Sequence, residues 1–157
     1  MEAGKLCRYN FFVLKGCMHM YYINDKGIEK TVKLAIENWW ISDYLAFHHQ
    51  QQTDFYIQAV ETTQVLCIDY DRQAELLAKF PQMETYFRNI YEIGYGASIM
   101  RIKFQFEYSK EEMFLRFEEQ FPEFVQRVPQ YLLATYLGLT PEYLSEVRRK
   151  KQSSERS

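Results

Sequence analysis

An α+β fold is predicted: an antiparallel jelly-roll (double-stranded β-helix) barrel, a long pairing helix and a C-terminal helix-turn-helix. Three observations predict it. Short apolar runs punctuated by turn residues fill the first half of the chain. After Pro81 the apolar period changes to steps of three and four. From Tyr131 on, a small residue, a glycine and an apolar wedge stand at the spacing of two steeply crossing helices.

The strands come first. Tyr9 to Leu14 is an apolar run ending at Lys15-Gly16. Cys17 to Ile23 is closed by Asn24-Asp25-Lys26-Gly27, where Gly27 supplies the positive φ of a hairpin turn. Thr31 to Ile36 alternates, with Val32, Leu34 and Ile36 on one side. Phe55 to Val60 and Val65 to Ile68 read as a second hairpin around Glu61-Thr62-Thr63. Many short strands joined by turns indicate a sandwich or barrel.

Helices follow. Asp71 is the expected N-cap of a short helix through Lys79, which Pro81 ends. From Gln82 to about Phe106, Tyr86, Ile90, Ile93, Ala97, Met100 and Phe104 form the stripe of a helix-pairing seam, flanked by Phe87, Tyr91, Ile99 and Ile102. That stripe fits a homodimer joined through residues 82–106. A single helix buried on its own barrel shows the same pattern. Ser109 and Glu112 form a capping box for a helix reaching about Gln120, and Pro122 interrupts it. Pro129 opens the next helix and Gly138 closes it. Thr140 caps the last, with Pro141 at its first position, and the polar stretch Gln152 to Ser157 is expected to fray. Residues 1–80, 81–108 and 109–157 are the resulting units.

Composition sets the limits of function. Hydrophobic residues at 47% against 25% charged exclude global disorder. A net charge of -2 gives no strong field toward nucleic acid or membrane. The charge is uneven, however. Ser109–Gln126 carries two basic and five acidic residues, whereas Arg127–Ser157 carries six basic and three acidic, so the C-terminal end can meet phosphates. Cys7, Cys17 and Cys67 lack CxxC spacing, as expected of reduced, buried thiols in a cytoplasmic protein. No apolar run reaches transmembrane length.

The informative stretch is YLLATYLGLTPEYLSEVRRKK, Tyr131 to Lys151. Ala134 is the small residue on which a second helix packs. Gly138, four residues later, takes the positive φ of the turn. Leu133, Leu137, Leu139, Leu144 and Val147 fill the angle between the helices. The outward positions Thr140, Glu142, Tyr143, Ser145, Glu146, Arg148, Arg149 and Lys150 are the candidate DNA-binding residues. An αα-hairpin that binds nothing has the same spacing; the basic end favours double-stranded DNA.

This order of parts resembles the Crp/Fnr family of bacterial regulators. Besides the C-terminal motif, the resemblance rests on KGCMHMYYINDKGIEKTV and IQAVETTQVLCID in the barrel. It implies a homodimer, a cyclic-nucleotide-binding-type barrel, a recognition helix in the major groove, and contact with RNA polymerase. It also places a ligand pocket at Trp40, Asp43, Thr53 and Asp54. Asp43 falls at the family's ribose-binding acid. Thr53 and Asp54 replace the arginine and small hydroxyl residue that hold the cyclic phosphate, so no cyclic nucleotide is expected in the usual mode, and any small-molecule effector is of another kind. Glu142 matches the family's reading face, but Glu146 stands at the usual arginine position; a glutamate accepts from cytosine rather than forking onto guanine. The resemblance begins near the middle of the family's barrel and leaves no room for a wing hairpin, so the barrel is expected to be incomplete or closed by other means.

The remaining constellations carry less. His19, His48 and His49 lack the spacing of a metal set, and three cysteines cannot hold a four-thiolate cluster. Trp39 and Trp40 line a barrel mouth or pack in the core. No nucleophile elbow, phosphate loop or spaced carboxylate pair argues for an enzyme, and no cofactor is expected. The competing reading is a module that binds a protein or small molecule, with a helix-turn-helix that is structural only.

Overall fold

The computed structural model describes residues 1–154. Strands β1 (Tyr9–Lys15), β2 (Met18–Ile23), β3 (Glu29–Ala35), β4 (Trp40–Ile41), β5 (Tyr56–Ala59) and β6 (Gln64–Asp69) form two antiparallel sheets of order β4-β1-β6 and β3-β2-β5. The jelly-roll barrel expected from the sequence is not closed: its strands form an open two-sheet sandwich. Inward residues of both sheets share one core: Val13 and Ile41 from the first, Met18, Ala35 and Ile57 from the second. The β2–β3 hairpin turns as expected at Gly27, which has φ +72°, while the Asn24 side chain accepts from the N–H groups of Lys26 and Ile28.

The second expected hairpin does not form. β5 pairs with β2 and β6 pairs with β1, so Glu61-Thr62-Thr63 carries the chain between sheets. Two short elements escaped the sequence pattern. β4 is one, and α1 (Tyr44–His49) is the other, with Asp43 as its N-cap.

Helix α2 (Tyr70–Lys79) is capped by Asp69, whose carboxylate accepts from Arg72 N–H, and not by Asp71, which lies inside the first turn. α3 (Gln82–Glu107) is the long helix. α4 (Lys110–Gln120) begins with the capping box of Ser109 and Glu112; hydrogen bonding to Ser109 holds the Glu112 carboxyl below its ordinary range. Pro122 does not merely interrupt: it is the first residue of α5 (Pro122–Arg127). α6 (Gln130–Tyr136) and α7 (Pro141–Ser154) complete the chain. α7 thus continues regularly through Ser154, and the rest of the polar end lies outside the described residues.

The helical end and the sheet share a second core. Cys17, Leu34 and Ile36 pack with Phe114, Phe124, Leu132, Leu133, Ala134, Leu144 and Val147. α6 lies against β3. Cys17 and Cys7 are buried as expected, but Cys67 is exposed on the edge strand β6, against expectation. Burial pushes the Cys17 thiol up to about 11.

Candidate nucleic-acid interface

Five residues make the corner between α6 and α7. Leu137 ends α6 and Gly138 turns with φ +72°. The Leu139 N–H returns to the Ala134 carbonyl at 2.8 Å. Thr140 Oγ1 then accepts from Tyr143 N–H at 3.2 Å, and Pro141 opens α7. Leu133, Ala134, Leu137, Leu139, Leu144 and Val147 are all buried in the angle. A Cβ on Gly138 would meet open space, so the glycine is required by its φ and not by crowding. Gly138→Ala is expected to cost about 1–2 kcal/mol, read as a shift in denaturant midpoint, with Gly138→Asn closer to wild type.

α7 turns a polar face outward. Thr140, Glu142, Ser145, Glu146, Arg149 and Lys150 are exposed, and Tyr143 and Arg148 are partly buried. Several of these groups are already engaged. Ser145 Oγ accepts from Gln130 Nε2 at 2.8 Å and donates to the Pro141 carbonyl at 3.0 Å. Glu146 pairs with Lys150 at 3.0 Å, one turn on, and this hydrogen bond raises the lysine pKa. Lys151 reaches Glu118 of α4 at 2.7 Å. Arg148 and Arg149 make no salt bridge with a carboxylate among the described residues. The face therefore presents carboxylates at its start and guanidinium groups at its end.

Arg127 at the end of α5 forks onto both oxygens of Glu37, at 2.9 and 3.1 Å, and bonds Glu61 at 2.5 Å. Glu37 also accepts from Gly16 N–H at 2.8 Å. One guanidinium thus gathers three turns at one end of the sandwich and ties them to the helical end. Its hydrogen bonds hold the Glu37 carboxyl down at about 2.

Three of the four residues placed in a ligand pocket hydrogen-bond within the chain. Asp43 Oδ1 accepts from Ala46 N–H, and its Oδ2 accepts from Thr53 Oγ1 at 2.8 Å. Thr53 is buried and Asp54 exposed. Trp40 Nε1 donates to Tyr86 Oη at 3.1 Å, and its ring packs on Phe12 and Phe87. Sequence reasoning missed the neighbouring Lys33. It pairs with Met20, whose side chain packs against the inter-sheet core, so it faces the same way, and its Nζ lies 3.3 Å from Tyr44 Oη. Burial pulls Lys33 down to about 8 and raises Tyr44, which packs edge-on against Tyr91 of α3. A cleft of about 260 Å³ is lined by Tyr44, Phe47, His48, Tyr70, Gln73 and Tyr91, and one of about 570 Å³ runs along α2 and α3. Neither touches Trp40, Asp43, Thr53 or Asp54. The rings of His48 and His49 lie edge-on at the end of α1, and no group of three metal-ligating side chains occurs among the described residues.

No family model and no curated protein matches the chain. Solved structures do. FixK2 from Bradyrhizobium japonicum superposes with a TM-score of 0.81 at 11% identity, over 98% of this chain and 79% of that one. The c-di-GMP-responsive global regulator CLP of Xanthomonas campestris gives 0.71 at 15% identity, over 99% and 82%. A transcriptional regulator of the Crp/Fnr family from Eubacterium rectale gives 0.67 at 14% identity, over 98% and 77%. The chain has the Crp/Fnr fold. α3, at 26 residues, is the longest helix among the described residues, and α6 and α7 meet at the Gly138 corner. No helix among the described residues is long and apolar enough to cross a membrane.

Proposed function

We propose that this protein is a DNA-binding transcription regulator of the Crp/Fnr type, acting as a cytoplasmic homodimer and not as an enzyme. One observation carries the reading. The helical end docks on the sheet through α5 and α6, and the outer face of α7 stays exposed. A recognition helix needs that freedom. α3 supports pairing, because Ile93, Tyr95, Ile99, Met100, Ile102 and Phe106 are all exposed in the single chain. Two copies joined there carry two α7 helices to successive major grooves, roughly 34 Å apart.

Glu142 and Glu146 favour cytosine amino groups over guanine at the positions they meet. Arg148 and Arg149 supply phosphate contacts. At the sandwich, Asp43 and Thr53 satisfy each other and Asp54 adds a negative charge, which supports a signal other than a cyclic nucleotide. Contact with RNA polymerase belongs to this reading as an expectation from the fold.

The test is DNA retention as a function of salt. Wild-type affinity is expected to fall steeply, and Arg148→Ala with Arg149→Ala to flatten the log–log slope by up to about two. The competing reading, an interaction module with a structural helix-turn-helix, draws on Glu146 neutralising Lys150. Absence of any retention on DNA at low salt would establish it.

A further inference from the structure

The junction of sheet, long helix and helix-turn-helix holds an arginine whose two contacts have nothing to do with charge pairing. β3 is an edge strand with a bulge: Met20 faces Lys33 and Tyr21 faces Thr31, so Val32 has no partner across the ladder. Arg101 of α3 donates from Nη1 to the Val32 carbonyl at 2.7 Å. The same guanidinium lies over the Tyr136 ring of α6, 4.7 Å from its centroid. Tyr136 in turn meets Phe117 of α4 edge-on. One residue earlier on α6, the Thr135 hydroxyl accepts from Thr31 N–H at 3.4 Å and lies 3.1 Å from the Thr31 hydroxyl, one residue from the bulge. The edge of β3 is thus met by α3 at Val32 and by α6 at Thr31.

We propose that Arg101 is a positioning residue that fixes the helix-turn-helix to the long helix through the bulge of β3, so that any rotation of α3 is passed to α7. Geometry carries this. Arg101 reaches strand and helix-turn-helix together, and it does so with a flat group whose edge bonds a carbonyl while its face covers an aromatic ring. The bulge supplies the carbonyl. Because α6 takes the contact and α7 none of it, the clamp orients the recognition helix without masking it. The DNA consequence rests on the regulator reading; the clamp itself does not.

The experiment is amide hydrogen exchange on the full chain, paired with binding to DNA palindromes of two spacings. In Arg101→Met, exchange in segments 29–36 and 130–136 is expected to quicken about tenfold, the loss of one charged hydrogen bond and its stacked face. Segments 9–15 and 64–69, in the other sheet, should keep wild-type protection. Tyr136→Phe, which retains the ring, should behave as wild type, and Tyr136→Leu as Arg101→Met. The wild type should bind a selected palindrome much better than the same site opened by half a turn, about 5 bp, and Arg101→Met should lose most of that preference. Wild-type exchange in Arg101→Met overturns the proposal. So does acceleration spread evenly over all four segments, which marks general destabilisation. Intact spacing preference with the expected exchange overturns the positioning role. If the wild type selects no DNA, the regulator reading falls, and exchange alone decides whether Arg101 clamps the helix-turn-helix.

Discussion

Ile93→Glu combined with Met100→Glu is expected to give a soluble, folded monomer whose affinity for a palindromic site falls by about 10²- to 10⁴-fold, the avidity of two linked half-sites. The argument starts from what α3 already touches. On one side, Phe87 is buried against Trp40, Tyr91 packs on Tyr44, Tyr86 accepts from Trp40 and Arg101 holds Val32. These contacts seat the helix on its own sheet. The rest of the helix surface has no such use in one chain. Ile93 is 73% exposed, with Met100 beside it on the seam stripe, and round the helix from them Tyr95 is 71% and Phe106 89% exposed. Apolar exposure on this scale marks an interaction surface. Neither substituted residue lies in a core cluster, so the fold should survive and the dimer should not. Sedimentation equilibrium reads the association, and titration against full and half sites reads the consequence. A variant that remains dimeric, or that loses half-site binding as well, refutes the pairing assigned to α3.

How much of this was legible in the sequence follows from the range of each interaction. The corner at Ala134, Gly138 and Thr140 was legible because every constraint lies within one supersecondary unit: a small residue, a positive φ and a cap. All the strands but β4 were legible for the same reason, but their pairing was not. Phe55 to Val60 and Val65 to Ile68 look like a hairpin because hairpins are the commonest short-range pairing. Here Thr63 Oγ1 bonds the Cys17 carbonyl instead, and each strand finds a non-local partner in a different sheet. α1 was missed because six residues are too few to show a helical period. Asp69 and not Asp71 is the cap because α2 starts at Tyr70, directly where β6 ends. Asp43 and Thr53 were placed by resemblance as ligand contacts, and the structure shows them bonded to each other. The Arg127 clamp had no local signal at all, since its carboxylates stand 66 and 90 residues away. Arg101 likewise had no local signal, since the Val32 carbonyl it meets stands 69 residues away.

Phe114→Ala is expected to carry the largest cost in stability, and the form of its melting curve is as telling as its midpoint. Phe114 is fully buried in α4, within the cluster that joins Cys17, Leu34 and Ile36 of the sandwich to Leu132, Ala134 and Leu144 of the helix-turn-helix. Truncating a buried phenylalanine costs roughly 3–5 kcal/mol, because the lost transfer energy is joined by an unfilled cavity. For a chain of this length that lowers the melting temperature by roughly 6–20 °C. If sandwich and helix-turn-helix were separate bodies on a linker, the loss would appear in one transition and leave another untouched. The shared core, the Arg127 fork across Glu37 and Glu61, and the Thr31–Thr135 contact argue otherwise. Unfolding either part strips apolar cover from the other, so a single cooperative transition should move as a whole in calorimetry. Two resolved transitions in the wild type, or a sandwich that melts unchanged in Phe114→Ala, would show that the sheet does not hold the DNA-reading end. The orientation of α7 would then be set by α3 alone.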